Sequence, residues 1–163
     1  WFCVSVALYE DGKPHCGAVY HPLGNELFIA EVGKGVTLNG KRVRVSGTRQ
    51  MENALLGTGF YYSKGSLLRK EMAIFERMNE AALGIRRPGA AALDLASVAC
   101  GRFDGFWEIN LSPWDIAAGF IIIEEAGGKI TDFKSRKWSQ YMKEFVASNK
   151  ILHPKLLKYV KNL

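Results

Sequence analysis

The sequence predicts a layered α/β fold, with an antiparallel meander over residues 1–50 and alternating strands and helices over residues 51–163. Near the start of the chain, apolar residues alternate with small or polar ones, which is the period of a strand with one buried face. After Gln50 the apolar spacing becomes helical in several segments, and short apolar runs separate them. We therefore expect a single unit over residues 1–163, made of the end of an antiparallel sheet and a second α/β subdomain.

The first fifty residues combine turn sequences with short alternating segments. Strands are predicted at residues 4–9, 15–20, 26–31 and 42–45. The turn pair Asp11-Gly12 separates the first two strands, and Asn39-Gly40 precedes the last one. Such closely spaced turns predict strands that pair with their neighbours in sequence.

From residue 51 onward, short apolar runs predict buried strands between helices. These strands are expected at residues 54–60, 103–109, 129–132 and 145–148, with a short one ending at Arg87. The first helix is expected behind a possible cap at Ser66. Its predicted core face consists of Leu68, Met72, Phe75, Met78 and Ala82.

Three further helices are indicated by turn and cap residues. The second follows Pro88-Gly89 and ends at Gly101, with Ala91, Leu95, Val98 and Ala99 on its inner face. The third has Ser112 as its N-cap and Pro113 at its first position, and it ends at Gly127-Gly128. The fourth begins near Pro154.

The composition favours a soluble globular protein. Hydrophobic residues make up 48% of the 163 residues, enough for a sizeable core, and no apolar run is long enough for a membrane span. The three cysteines show no paired or metal-ligand spacing, so a reducing cytoplasm fits best. Lysine and arginine number 22 against 16 acids, but no basic motif with interleaved aromatics favours nucleic acid as a partner.

The stretch from Asp104 to Gly128 carries the candidate site. It places Glu108 at a strand end and Asp115 at a helix start, so both carboxylates can face one cleft. Carboxylate oxygens suit Mg²⁺, and the free amides of a helix start suit phosphate. A second interpretation stays open, in which Asp115 only closes a capping box with Ser112 and Glu108 is only a solvated charge.

Other polar and aromatic residues have simpler interpretations. Asp94 lies in the first turn of the second predicted helix, where complementing the helix dipole is favoured over catalysis. Trp107 and Trp114 are interpreted as packing residues, with stacking on a substrate as the open alternative. Arg86 and Arg87 are interpreted as exposed charges at a strand end, with attraction of phosphate as the alternative.

Several motifs resemble those of the inositol monophosphatase family. The segment 114–119, WDIAAG, and the segment 125–128, EAGG, resemble the family's second signature. The segments 87–94, RPGAAALD, and 101–108, GRFDGFWE, resemble the segments that precede it, and the meander resembles the one after the family's first metal-binding motif. The resemblance covers most of the chain and identifies it as the carboxy-terminal portion of such a domain.

The resemblance implies an αβαβα sandwich, commonly dimeric, that hydrolyses a phosphate monoester, most readily inositol 1-phosphate. Mg²⁺ would activate a water for in-line attack without a phosphoenzyme intermediate. Asp115 matches the aspartate that binds the second metal, and Glu108 matches the residue that contacts substrate hydroxyls. Gly89, Ala90 and Ala91 match the turn and helix start that line the substrate pocket.

The chain also departs from the family pattern. Ala90 stands where many members have Ser or Thr, and Ser112 stands where some animal members have His. The family's first signature, DPxDGT, does not occur, and because an apolar segment begins at Trp1 itself we expect those metal ligands to lie upstream or on a companion chain. We therefore expect the 163-residue chain to be inactive alone.

Alternative functions remain open. Related phosphatases that act on fructose 1,6-bisphosphate, histidinol phosphate or a nucleotide 3′-phosphate share these motifs. The family resemblance also allows a binding protein with an RNA-polymerase-associated partner, with which a net charge of +6 is compatible.

Overall fold

The structure, a computed structural model, describes residues 1–62, 65–137, 139 and 141–161. The first sheet is antiparallel, and each strand pairs with the next one along the chain. Its strands are β1 (Val4–Glu10), β2 (Lys13–His21), β3 (Glu26–Glu31), β4 (Gly35–Leu38) and β5 (Lys41–Arg42). The predicted antiparallel meander is confirmed.

The last strand of the meander differs from the prediction of residues 42–45. The backbone N–H of Val43 still donates to Val36 O at 3.2 Å, but the N–H of Val45 donates to Ala126 O at 3.2 Å. The chain therefore leaves the first sheet early because its backbone binds the end of a helix instead of a neighbouring strand.

The second sheet is mixed. Its strands are β6 (Leu55–Thr58), β7 (Gly84–Arg86), β8 (Gly105–Ile109), β9 (Gly128–Thr131) and β10 (Glu144–Asn149), in the spatial order β7-β6-β8-β10-β9. Strands β7, β6 and β8 run parallel, whereas β10 pairs antiparallel with β8 and with β9. The three parallel strands of this sheet position the candidate site described below.

The described residues also form the α-helices α1 (Ser66–Ala81), α2 (Ala91–Ala99), α3 (Pro113–Glu125) and α4 (His153–Val160). Helices α2 and α3 lie between the two sheets, and α1 and α4 lie together on the other side of the second sheet. The described residues thus alternate as sheet, helices, sheet, helices, which confirms the predicted layered α/β class. None of the helices in this part of the chain is both long and apolar enough to cross a membrane.

The buried face of α1 agrees only in part with the predicted one: Met78 is buried and Phe75 and Ala82 pack against the core, as expected. Met72, expected in the core, is 41% exposed, and the buried residues are Glu71, Ile74 and Met78. Glu71 is buried because its Oε1 accepts a hydrogen bond from the backbone N–H of Tyr61 at 2.9 Å. Apolar spacing assigns a glutamate to the solvent face, so it predicted neither the burial of Glu71 nor the exposure of Met72.

Helix α3 is held between the first sheet and α2 by residues without bulky side chains. A Cβ atom on Gly17 of β2 would lie 3.0 Å from Ala118 Cα, and one on Gly119 would lie 2.8 Å from Leu95 Cβ in α2. The Tyr9 hydroxyl also donates to Ala117 O at 3.1 Å. The small residues of the WDIAAG segment therefore set how closely three elements approach one another.

The carboxyl end of α3 is tied to the first sheet by Glu125. Its two carboxylate oxygens accept hydrogen bonds from the backbone N–H groups of Gly33 at 2.9 Å and Gly35 at 2.8 Å. Both glycines have positive φ angles, +79° and +84°, which a residue with a side chain adopts at a cost. The glycine pair of the turn between β3 and β4 and the glutamate of the EAGG segment thus form one structural unit.

We predict that Gly119→Ala destabilises the full-length protein by about 1 to 2 kcal/mol. The added methyl group overpacks the contact with Leu95, and the better helix propensity of alanine offsets only part of that cost. Urea denaturation compares it with Gly47→Ala, a site where a Cβ atom would meet nothing within 4 Å. Equal stability of the two variants would contradict the close packing described here.

Candidate active site

The candidate site lies at the carboxyl ends of the three parallel strands β7, β6 and β8. In the register of these strands, Gly57 is opposite Arg86 and Thr58 is opposite Trp107. The residues that follow, Arg87, Gly59 and Glu108, therefore reach the same edge of the sheet. Crevices at the carboxyl ends of parallel strands are common binding sites in α/β proteins.

Two helix starts face this edge, because α2 follows β7 and α3 follows β8. The turn before α2 contains Gly89 at φ +95°, and Asn110, at φ +64°, turns the chain from β8 toward α3. Asparagine adopts this left-handed conformation more readily than most residues. The starts of both helices, and with them the positive ends of the helix dipoles, consequently lie at the edge where the parallel strands end.

All five residues predicted for the site, Gly89, Ala90, Ala91, Glu108 and Asp115, line one cavity of about 320 Å³. The prediction did not include the other lining residues, which are Gly59, Phe60, Tyr61, Tyr62, Arg87, Asn110, Leu111 and Ser112. A second depression, of about 400 Å³, shares Gly89, Ala90, Ala91 and Asp115 and is completed by Trp1, Cys3 and Trp114, among others. Gly89, Ala90, Ala91 and Asp115 therefore line both depressions.

Asp115 takes part in the predicted capping box. The backbone N–H of Ser112 donates to Asp115 Oδ2 at 2.9 Å, and Pro113 occupies the first turn of α3 as predicted. Asp115 is nevertheless only half-buried and lines the cavity. A carboxylate has about four lone-pair sites, so accepting one hydrogen bond leaves room for a further ligand. Capping and ligand binding are compatible at this residue.

Glu108 is buried and is not the solvated charge of the second interpretation, since its exposed fraction is 9%. Burial raises the pKa of Glu108 to about 8, and repulsion from Asp94 and Asp115 adds to the rise. The guanidinium of Arg87 opposes it. Acidic groups are therefore concentrated around this cavity with little positive charge nearby, which makes Glu108 hard to ionise.

Asp94 is buried more deeply than its predicted role at a helix start requires. Its exposed fraction is 1%, and neither carboxylate oxygen has a hydrogen bond of regular geometry among the described residues. Burial raises the pKa of Asp94 to about 7, against the opposing influence of the nearby Ala90 amide and of Trp1. Because Asp94 also raises the pKa of Glu108, the two buried acids repel each other.

The segment from Gly59 to Tyr62, which forms one wall of the cavity, was not among the predicted site residues. Arg87 is exposed as predicted, and its guanidinium lies over the Phe60 ring, 5.7 Å from the ring centroid. The feature that identifies the Gly59–Tyr62 segment as part of the site is the parallel pairing of β6 with β8, which places the residues after β6 beside Glu108. Trp107 packs in the core as expected, but Trp114 is 73% exposed, so its predicted packing role is wrong within the described residues.

The chemistry of these donors suits a hard divalent cation but supplies only part of a site. Asp115 and Glu108 offer the oxygen ligands that Mg²⁺ prefers, and a nearby cation would offset the repulsion that raises the pKa of Glu108. Within residues 1–62, 65–137, 139 and 141–161, however, there is no group of three or more potential ligands.

Comparison with known proteins now identifies the family. The family model described as "Inositol monophosphatase family" matches residues 1–163. The chain belongs to the inositol monophosphatase family. The resemblance inferred from the motifs at residues 114–119 and 125–128 is thereby confirmed.

Three relatives illustrate the range of functions assigned to similar proteins. A putative Nus factor SuhB of Neisseria meningitidis is 42% identical over 98% of the chain, and an inositol-1-monophosphatase of Caulobacter vibrioides is 42% identical over 96%. The structure of inositol monophosphatase from Anabaena aligns with a TM-score of 0.92 at 40% identity over 99% of the chain. The chain spans 61%, 62% and 64% of these proteins, respectively.

We predict that Asp94→Asn stabilises the full-length protein, without added metal, more at pH 8 than at pH 4. The pKa of Asp94 rises on folding from 3.8 to about 7, so the folded state retains a proton that the unfolded state has lost. The free energy of unfolding therefore falls as pH rises through this window, by up to about 4 kcal/mol, and asparagine removes that loss.

Urea denaturation at both pH values measures this difference. Asp11→Asn, in the exposed turn between β1 and β2, is the control for removing one negative charge. A stability difference between Asp94→Asn and the unsubstituted protein that is the same at both pH values would show that the Asp94 carboxylate is not held in an unfavourable buried environment.

Proposed function

We propose that the protein hydrolyses phosphate monoesters with the help of Mg²⁺, and that inositol 1-phosphate is its preferred substrate. The observation that carries this proposal is the convergence of Glu108, Asp115 and the starts of α2 and α3 on one cavity. Membership of the inositol monophosphatase family supports the reaction class.

In this proposal the helix starts bind the phosphate group. The Asp115 carboxylate binds the metal ion, and the Glu108 carboxylate binds the alcohol part of the ester. Backbone N–H groups at the start of α2 donate to phosphate oxygens, an arrangement that the positive ends of the dipoles of α2 and α3 favour. In the first turn of α3, Pro113 has no N–H and the Asp115 N–H is bonded to Ser112 O, so α3 contributes mainly its dipole. Because Gly89, Ala90 and Ala91 carry no more than a methyl group, the ligand can approach their backbone closely.

Asp115 is the proposed metal ligand and thereby the catalytic residue of this chain. Bound Mg²⁺ supplies positive charge that stabilises the phosphoryl oxygens during the displacement. The hydrogen bond from the Ser112 N–H holds the Asp115 carboxylate in one orientation at the mouth of the cavity. We propose that the remaining ligands come from a segment upstream of residue 1 or from a companion chain, so the 163-residue chain alone is expected to be inactive.

Glu108 is the proposed substrate-binding group for the alcohol part of the ester. Its carboxylate lies on the cavity wall formed by β8 and accepts hydrogen bonds from hydroxyl groups of a polyol. Family resemblance, not geometry, selects inositol over the sugar, histidinol or nucleotide phosphates of related enzymes. We further propose that the protein acts as a homodimer in the cytoplasm, where its three free cysteines would stay reduced.

A second candidate function is participation in a transcription complex. It is favoured by relatives named as Nus factors, among them the Neisseria protein above and one of Pseudomonas aeruginosa that is 46% identical over 81% of the chain. The net charge of +6 suits an acidic partner. Such a role does not need the Asp115 carboxylate as a metal ligand.

We predict that Asp115→Asn lowers Mg²⁺-dependent phosphate release from inositol 1-phosphate by at least about 100-fold in the full-length protein. This is the size expected when several kcal/mol of transition-state stabilisation is lost. Stability should change by less than about 1 kcal/mol, because the asparagine oxygen still accepts the Ser112 N–H. Phosphate release and urea denaturation are measured side by side.

Asp11→Asn again serves as the control, since it removes a carboxylate from an exposed turn. Retained activity in Asp115→Asn would overturn the assignment of Asp115 as a metal ligand. If the unsubstituted protein releases phosphate from none of a panel of sugar, polyol and nucleotide phosphates, the transcription role becomes the better proposal.

A further inference from the structure

Gly59 lies directly against the carboxylate of Glu108. A Cβ atom on Gly59 would overlap Oε1, Oε2 and Cδ of Glu108. The φ angle of Gly59 is not in the left-handed region, so its backbone conformation is open to other residues. What requires glycine at this position is the space that the Glu108 carboxylate occupies.

The pairing of β6 with β8 brings Gly59 to this place. Thr58, the last residue of β6, is fully buried, and its hydroxyl donates to Trp107 O in β8 at 3.0 Å. Glu108 is the next residue of β8, and Gly59 is the first residue after β6. The register of the sheet at Thr58 and Trp107 therefore brings Gly59 close to Glu108.

Helix α1 holds the segment after Gly59 in position. The backbone N–H of Tyr61 donates to Glu71 Oε1 at 2.9 Å, and Glu71 is 3% exposed. The rings of Phe60 and Phe75 pack with their centroids 5.8 Å apart. A polar contact and an aromatic contact thus fasten the Gly59–Tyr62 wall of the cavity to one face of α1.

The Glu108 carboxylate itself has little else to position it. Among the described residues it makes no hydrogen bond and no ion pair, although it is 9% exposed. In the absence of such contacts, the walls around a buried side chain decide which rotamer it adopts. The wall that touches its oxygens is the backbone of Gly59.

We propose that Gly59 is a positioning residue for Glu108. We further propose that the hydrogen bond between Tyr61 and Glu71 keeps the Gly59–Tyr62 wall against the Glu108 carboxylate. The inference rests on the proposed function, in which Glu108 binds the hydroxyl groups of the substrate. It makes the Gly59–Tyr62 segment the part of the cavity that determines selectivity for a polyol ester over an ester without hydroxyl groups.

The test compares inositol 1-phosphate with phenyl phosphate, using Gly59→Ala in the full-length protein. KM for inositol 1-phosphate should rise about 10-fold relative to KM for phenyl phosphate, the size expected for losing a hydrogen bond to a charged group, while kcat changes little. The overlap involves the far end of a flexible side chain, so the variant should fold. Gly47→Ala, in open space, should leave both KM values unchanged.

A pair of variants at Glu71 tests the contact with α1 independently. Glu71→Gln keeps an oxygen that accepts the Tyr61 N–H, so it should retain the selectivity of the unsubstituted protein. Glu71→Ala removes that oxygen and should shift the KM ratio in the same direction as Gly59→Ala. Identical ratios for the two Glu71 variants would overturn the proposed part played by this hydrogen bond.

A crystal structure of Gly59→Ala gives a result that does not depend on activity. A displaced Glu108 carboxylate supports the proposal. A displaced Gly59–Tyr62 segment with an unmoved carboxylate overturns it, because the segment would then adapt to the carboxylate instead of positioning it. Equal changes in KM for both esters would also overturn it, since that pattern indicates a general structural defect. Inactivity of the unsubstituted protein toward both esters would instead refute the proposed function, and the crystal structure would still decide the role of Gly59.

Discussion

The close packing of α3 between the first sheet and α2 is the constraint on which the rest of this structure depends. Gly17 and Ala118 set the spacing on one side of the helix, and Gly119 sets it against Leu95 on the other. Both ends of α3 are then tied down, by the Ser112–Asp115 capping box and by Glu125 at the turn between β3 and β4. Because the helix cannot shift, its first turn stays beside the carboxyl end of β8.

The site formed there concentrates acidic groups in a buried environment. Burial raises the pKa values of both Asp94 and Glu108 toward neutrality, and Asp94 makes Glu108 still harder to ionise. Such groups lower the stability of the fold, and proteins retain them mainly where a ligand of opposite charge uses them. The arrangement is physically sensible if a cation and a polar substrate occupy the cavity.

Much of the fold followed from local sequence rules, because turns, caps and alternation are short-range properties. The Ser112 cap, Pro113 and the turn at Asp11-Gly12 lie where they were predicted. The errors arose where a distant partner decided the outcome. Glu71 is buried instead of Met72 because of the Tyr61 amide, and β5 ends early because Val45 binds Ala126.

For the candidate site, too, some features could be predicted from the sequence and others were determined only by the tertiary structure. The sequence identified Glu108, Asp115 and the turn at Gly89–Ala91 as site residues. Each lies at a predicted strand end or helix start, and such ends can be recognised from neighbouring residues alone. That these elements share one cavity, that Glu108 is buried, and that Gly59 lies against it were decided only by the tertiary structure. The reason is that strand register and burial depend on which segments pair, and residues far apart in sequence, such as Thr58 and Trp107, determine that pairing.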